Sequence, residues 1–297
     1  MGLANSTHYA ILYYITDRRD PMEDRQARRQ AQKKRQQRQA AGCFSLIVLV
    51  VVLLGGYVIL RVLGGPGAPN WTSVLTENPY APADFATVNG YVTCTAGPTR
   101  LGLDVSEYQE EIDWEQVRAA GFDFVFIRIG YRGYSVGEIY ADERARDNLA
   151  GAKAAGFDVG VYFYAQAVSP EEALEEARWC LDFLEAEALQ LPIVYDWEWV
   201  SHDARTGGID RATLTECVKT FCDTIDSAGY QSMVYFNSHV ARDLMDLEQL
   251  AGYPFWLAQY REQLDYPYQV DVWQYTETGS VPGIEGNVDI DLMFLYE

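Results

Sequence analysis

From residue 101 to the C-terminus, short apolar runs alternate with stretches whose apolar positions recur at helical spacing. The runs are LGLDVS (101–106), FVFIRIG (124–130), DVGVYFYA (158–165), PIVYDWEW (192–199), SMVYFN (232–237), FWLAQY (255–260), DVWQYT (271–276) and VDIDLMF (288–294). Strand-length runs separated by helical patterns are the mark of parallel βα units. Helices are predicted over 114–120 behind an Asp113 cap, 143–155 ending at Gly156, 169–184, 211–228 and 240–250. The third carries Ser169 as N-cap, Pro170 at the first helical position and Glu172 three after the cap, the usual start signals. Its Leu174, Ala177, Leu181 and Leu184 fall on one face and form a core stripe. Eight strands with about five helices predict an α/β fold, a small irregular (β/α) barrel incompletely covered by helices.

The N-terminal third reads differently. Residues 42–60, GCFSLIVLVVVLLGGYVIL, carry no charge and are long enough for one transmembrane helix. Residues 1–41 hold Arg18, Arg19, Arg25, Arg28, Arg29, Lys33, Lys34, Arg35 and Arg38, which by the positive-inside tendency keeps this end cytoplasmic. A cleaved signal peptide has a short basic region, an apolar core of roughly 7–15 residues and a small-x-small cleavage site, so an uncleaved anchor fits better. The basic run lacks the interleaved aromatics or folded module of a nucleic-acid binder; contact with anionic lipid heads suffices for it. Residues 61–100, with Pro66, Pro69, Pro79, Pro82 and Pro98, read as an extracellular stalk before a domain at 101–297.

Charge sharpens the division. The whole chain has a net charge of −20, yet residues 1–61 hold 10 Lys or Arg against 4 Asp or Glu, leaving 13 against 39 for the remainder. So acidic a domain does not bind polyanions by charge; aromatics and hydrogen bonds are left to recognise a ligand. The cysteines Cys43, Cys94, Cys180, Cys217 and Cys222 form no obvious framework, and a bridge from Cys180 to a neighbouring helix stays open. His8, His202 and His239 show no metal-ligand spacing and read as surface residues, so neither metal nor cofactor is expected.

PIVYDWEW carries the candidate chemistry. Strand side chains alternate between faces, so Asp196 and Glu198 share one face while Tyr195, Trp197 and Trp199 share the other. Carboxylates in an apolar run are costly unless paired, metal-bound or functional. A barrel places functional groups at the C-terminal ends of its strands. Asp104 ends the first strand and Asp289 lies in the last, while Tyr162 and Tyr164, Trp256 and Tyr260, and Trp273 and Tyr275 each share a face of the third, sixth and seventh strands. An acidic cleft lined by Tyr and Trp suits a sugar, whose ring faces stack on aromatics and whose glycosidic bond needs a proton donor.

DVSEYQ followed by IDW, then GVYFYAQA, PIVYDWEW, FWLAQY, VWQYT and VDID occur in the order seen in glycoside hydrolase family 25, the bacterial and phage N-acetylmuramidases or lysozymes, which the chain resembles over residues 100–297. The resemblance implies cleavage of the β-1,4 bond between N-acetylmuramic acid and N-acetylglucosamine in a peptidoglycan glycan strand. It also implies Glu198 as general acid, Asp196 as its partner, and Asp104 and Asp289 completing the acidic floor. Retention through the substrate's N-acetyl group follows as an expectation, as does an outward-facing domain on a bacterial cell membrane. Two departures stand out: Tyr162, Phe163 and Tyr164 where many members have Tyr-His-Phe, and Asp291 where many have Asn. The competing readings are a catalytically weak, membrane-anchored wall-binding protein and a hydrolase of another N-acetylated glycan such as chitin.

Overall fold

The computed structural model describes residues 75–296; the basic segment and the expected membrane span at 42–60 lie outside them. Among the described residues no helix is long and apolar enough to cross a membrane.

Along the chain run β1 (Phe85–Val88), β2 (Tyr91–Cys94), β3 (Thr99–Val105), α1 (Trp114–Ala119), β4 (Phe124–Arg132), β5 (Ile139–Ala141), α2 (Ala145–Ala154), β6 (Asp158–Ala165), α3 (Pro170–Leu184), β7 (Ile193–Trp197), α4 (Arg211–Ser227), β8 (Ser232–Asn237), β9 (Phe255–Ala258), β10 (Val272–Gly279) and β11 (Val288–Phe294). The sheet order β3-β11-β10-β9-β8-β7-β6-β4 is closed by β3 pairing back to β4, which makes the eight-stranded barrel. The short β5 hangs on the end of β4 as an antiparallel hairpin.

The starts of α1 and α3 follow the sequence signals, and α4 is capped in the same way: Asp113, Ser169 and Asp210 each accept the backbone N–H three residues on, satisfying a donor that the first turn leaves free. The fifth expected helix, 240–250, shrinks to one π-helical turn, Val240–Leu244. Its continuation is diverted because Thr215 Oγ1 takes the Asp246 amide at 3.0 Å.

Two further expectations are corrected. The strands are not all parallel: β11 runs antiparallel to both β10 and β3. The β10–β11 connection, residues 280–287, is too short for the crossover of a dozen or more residues that a parallel return needs. Nor is 75–100 a stalk. Asn89 and Gly90 both have positive φ, the requirement of a tight two-residue hairpin, and they join β1 to β2. The hairpin seats Phe85 edge-on against Trp273, centroids 5.2 Å apart, and buries Val92 and Cys94.

The barrel has two cores. Phe124, Phe126, Val194, Met233, Tyr235, Trp256 and Met293 fill the lumen, while the opposite faces of the same strands pack under the helices and the hairpin. Lumen space is tight. A Cβ at Gly102 would lie 2.3 Å from the Phe124 ring, and one at Gly160 2.4 Å from that of Phe126, so glycine on β3 and β6 makes room for phenylalanine on β4. The described cysteines Cys94, Cys180, Cys217 and Cys222 are buried and free.

Candidate active site

The strand ends that form the mouth bring acids from three elements together. On β7 the parity argument holds: Tyr195 and Trp197 pack outward, Asp196 is buried in the lumen and Glu198, just beyond the strand, is half-buried. Asp104 on β3 and Asp289 on β11 are directly opposed in the ladder. They meet at one rim because β11 is reversed, so its first residues lie beside the last residues of β3.

Gln274 on β10 is the hub of this rim and is buried at 2% exposure. Its Nε2 donates to Asp104 Oδ2 at 2.7 Å and to Asp289 Oδ2 at 3.3 Å. Its Oε1 accepts from the hydroxyls of Tyr235 at 2.9 Å and Tyr260 at 3.2 Å. Below, Trp256 Nε1 donates to Asp291 Oδ1 at 2.8 Å, while Asp291 Oδ2 has no partner.

Arg128 borders the cluster as a cation. Relative to β6, β4 carries an extra residue between Arg128 and Gly130, and such a bulge re-aims side chains. Arg128 lies before it and keeps the parity of the lumen residues Phe124 and Phe126, bonded to Asp142 at 2.8 Å and Glu107 at 3.0 Å and flanked by the rings of Tyr108 and Tyr131; past it the bulge turns Arg132 outward to Glu176 on α3.

So many carboxyls in one dry rim cannot all ionise. Burial, then the neighbouring Asp289 and Asp291, raise Asp104 well above its usual range. Burial, then Glu198, do the same to Asp196, with Arg128 opposing. Asp291 is raised by burial and by Asp289. Burial, with Glu277 and Glu198, lifts Asp289 to about 7. Glu198 is raised chiefly by burial, against the hydroxyl of Tyr235. The rim as a whole therefore favours the protonated carboxyl over the carboxylate, and Glu198, just beyond β7, shares that bias.

The family model for glycosyl hydrolases family 25 matches residues 103–284. The chain belongs to this family. Among relatives of this family 25 chain, an autolytic lysozyme of Clostridium acetobutylicum is 27% identical over 193 residues, 64% of this chain and 54% of that protein. Lysozyme M1 of Streptomyces globisporus is 27% identical over 206 residues, 63% of this chain and 65% of its own. The modular autolysin LytC of Streptococcus pneumoniae, solved with a synthetic peptidoglycan ligand, superposes with a TM-score of 0.60 at 25% identity, covering 71% of this chain and 52% of LytC. A family 25 glycosyl hydrolase from Bacillus anthracis shares the fold, with a TM-score of 0.55 at 21% identity over 67% and 90% of the two chains. The chain thus spans about half the length of the first of these relatives and of LytC.

Of the ten site residues expected in this family 25 chain, the four acids converge, and Tyr162 and Tyr164 line the lumen and mouth beside them. Tyr260 is 47% exposed at the rim. Three aromatics sit elsewhere. Trp256 is sealed under the acids, stacked on Phe126 at 4.6 Å. Trp273 and Tyr275 share a face as expected, but it is the outer one: the Trp273 Nε1 donates to the Gln259 carbonyl at 2.8 Å and the Tyr275 hydroxyl accepts from the Val92 amide. The hairpin covers both. The same parity turns Gln274, the residue between them, onto the acids. Gln274, Tyr235 and Arg128 were missed; Tyr235 and Arg128 stand in strand runs where they read as core filling or a solvated charge.

Proposed function

We propose that this family 25 chain is a peptidoglycan hydrolase that cleaves the β-1,4 bond between N-acetylmuramic acid and N-acetylglucosamine. The observation that carries the reading is Glu198: a half-buried carboxyl, raised by burial, beside Asp196 at an open rim of further acids. Glu198 protonates the leaving glycosidic oxygen. Residues two apart on a strand lie about 6.6 Å apart along it, so Asp196 approaches the sugar from the same wall. From there it orients the substrate's N-acetyl group as that carbonyl attacks the anomeric carbon, and it stabilises the positive charge on the ring formed. Glu198, now a carboxylate, takes a proton from the water that opens the ring, and the product keeps its configuration. Asp104 and Asp289, tied through Gln274, supply the floor of the cleft, with Tyr162, Tyr164 and Tyr260 against the sugar.

Purified peptidoglycan, but not chitin, should release reducing ends. Glu198→Gln should lower turnover by ~10²–10⁴-fold, the usual worth of a positioned general acid, with the fold intact; activity within a few-fold of the parent removes Glu198 from this role. Proton NMR on a muropeptide oligomer should show the β-anomer first, and an α-anomer first means inversion.

The proposal extends to the N-terminal segment on sequence grounds. The uncharged run 42–60 behind nine basic residues supports a single-pass anchor in a bacterial cell membrane, with residues 1–41 cytoplasmic and the barrel outside. Protease added to wall-stripped cells should remove the barrel and leave a small membrane-bound stub; full protection of the barrel would overturn the topology.

A further inference from the structure

We infer that Gln166 is a positioning residue for Glu198, an inference that rests on the general-acid role proposed above. Glu198 lies just past the end of β7: the ladder to β6 stops at Trp197 and the ladder to β8 at Asp196. No sheet bond therefore fixes the Glu198 backbone, although a donor displaced by about 1 Å can lose ~100-fold in rate. Gln166, immediately past the end of β6 and fully buried, supplies what the ladder lacks. Its Nε2 donates to the Glu198 carbonyl at 2.9 Å and to that of Ala165 at 2.9 Å.

Every other polar atom of Gln166 is held as well. Thr206 Oγ1 donates to its Oε1 at 3.0 Å, which fixes the amide so that Nε2 faces Glu198. Its own N–H donates to Glu176 Oε1 at 3.2 Å, and its carbonyl accepts from Arg205 Nη1. Those partners are themselves locked: Glu176 pairs with Arg132 at 2.7 Å, and Arg205 grips Glu172 with both terminal nitrogens. A buried amide bonded at both ends has one orientation. The clamp thus runs from α3 and the 205–206 loop through Gln166 to the backbone carbonyl of the acid.

Gln166→Met keeps the length and removes the donor. In the full chain it should lower kcat by ~30-fold or more with KM changed less than about two-fold, because only the placement of the acid is lost. The pH limb that Glu198→Gln abolishes should shift in Gln166→Met. The deciding measurement is the double variant: added to Glu198→Gln, Gln166→Met should lower the residual rate by less than about three-fold, since residues acting as a unit are non-additive. An equal loss in both backgrounds would overturn the inference, as would a parental kcat in Gln166→Met. A Glu198→Gln variant with parental activity would instead defeat the general-acid assignment itself. Should Gln166→Met fail to fold, Thr206→Val, which frees only Oε1, decides: kcat should fall by several-fold at constant KM, and an unchanged kcat would overturn the clamp.

Discussion

Asp289→Asn tests whether the rim holds protons in the native state. The unfolded chain titrates this carboxyl near 3.8, and the fold raises it to about 7 through burial and the charges of Glu277 and Glu198. The folded value is the higher, so the fold favours the neutral form. The resulting stabilisation is fully present below pH 3.8 and is lost as pH rises through 7. Between about pH 4.5 and pH 8 that linkage lowers the stability of the parent by about 3 kcal/mol from this group alone, and by less to the extent that water reaches the half-buried carboxyl. The amide introduced by Asp289→Asn does not titrate. Any hydrogen bond it gains or loses at Gln274 is a pH-independent offset, and losing the charge that raises Asp104 and Asp291 adds to the slope with the same sign. Urea unfolding at about pH 4.5, 6 and 8 should therefore show the advantage of Asp289→Asn growing with pH by about 3 kcal/mol at unchanged m-value. Parallel stability curves for the two proteins would mean that Asp289 is already ionised in the fold at acid pH, and the proton-retaining rim would be refuted.

Two further outcomes test the placement of side chains. Gly160→Ala, whose Cβ would meet Phe126 at 2.4 Å and Leu191 at 2.9 Å, should destabilise the barrel by about 1–3 kcal/mol; a neutral change would show that the lumen has slack. Trp273→Ala should cost about 3–5 kcal/mol of stability as a buried ring under the hairpin and leave KM unchanged in the folded fraction, whereas Tyr260→Ala should raise KM with a small stability effect; the reverse assignment of KM effects would return Trp273 to the binding surface.

Local features of the chain were legible without the fold. The period-two alternation in PIVYDWEW put Asp196 and Glu198 on one face, because that alternation is a property of the strand itself. Asp113 and Ser169 precede their helices for equally local reasons, each side chain reaching only three residues along. The β1–β2 hairpin was also locally encoded, in Asn89 and Gly90, but was hidden by the prolines around it.

What alternation cannot give is the identity of the face. Both surfaces of a barrel strand are buried, one in the lumen and one under helices or a hairpin, so hydrophobicity does not distinguish in from out. Trp273 and Tyr275 therefore read as readily as cleft residues as Gln274 does, and only closure of the sheet turned Gln274 to the acids. Strand direction was likewise a tertiary matter. Asp289 reaches the mouth from the start of its strand because the segment before it is too short to cross the barrel and return parallel. The acids were written locally; their meeting, the glutamine that ties two of them, and the one that steadies Glu198 were decided by which strand ends the closed barrel brought together.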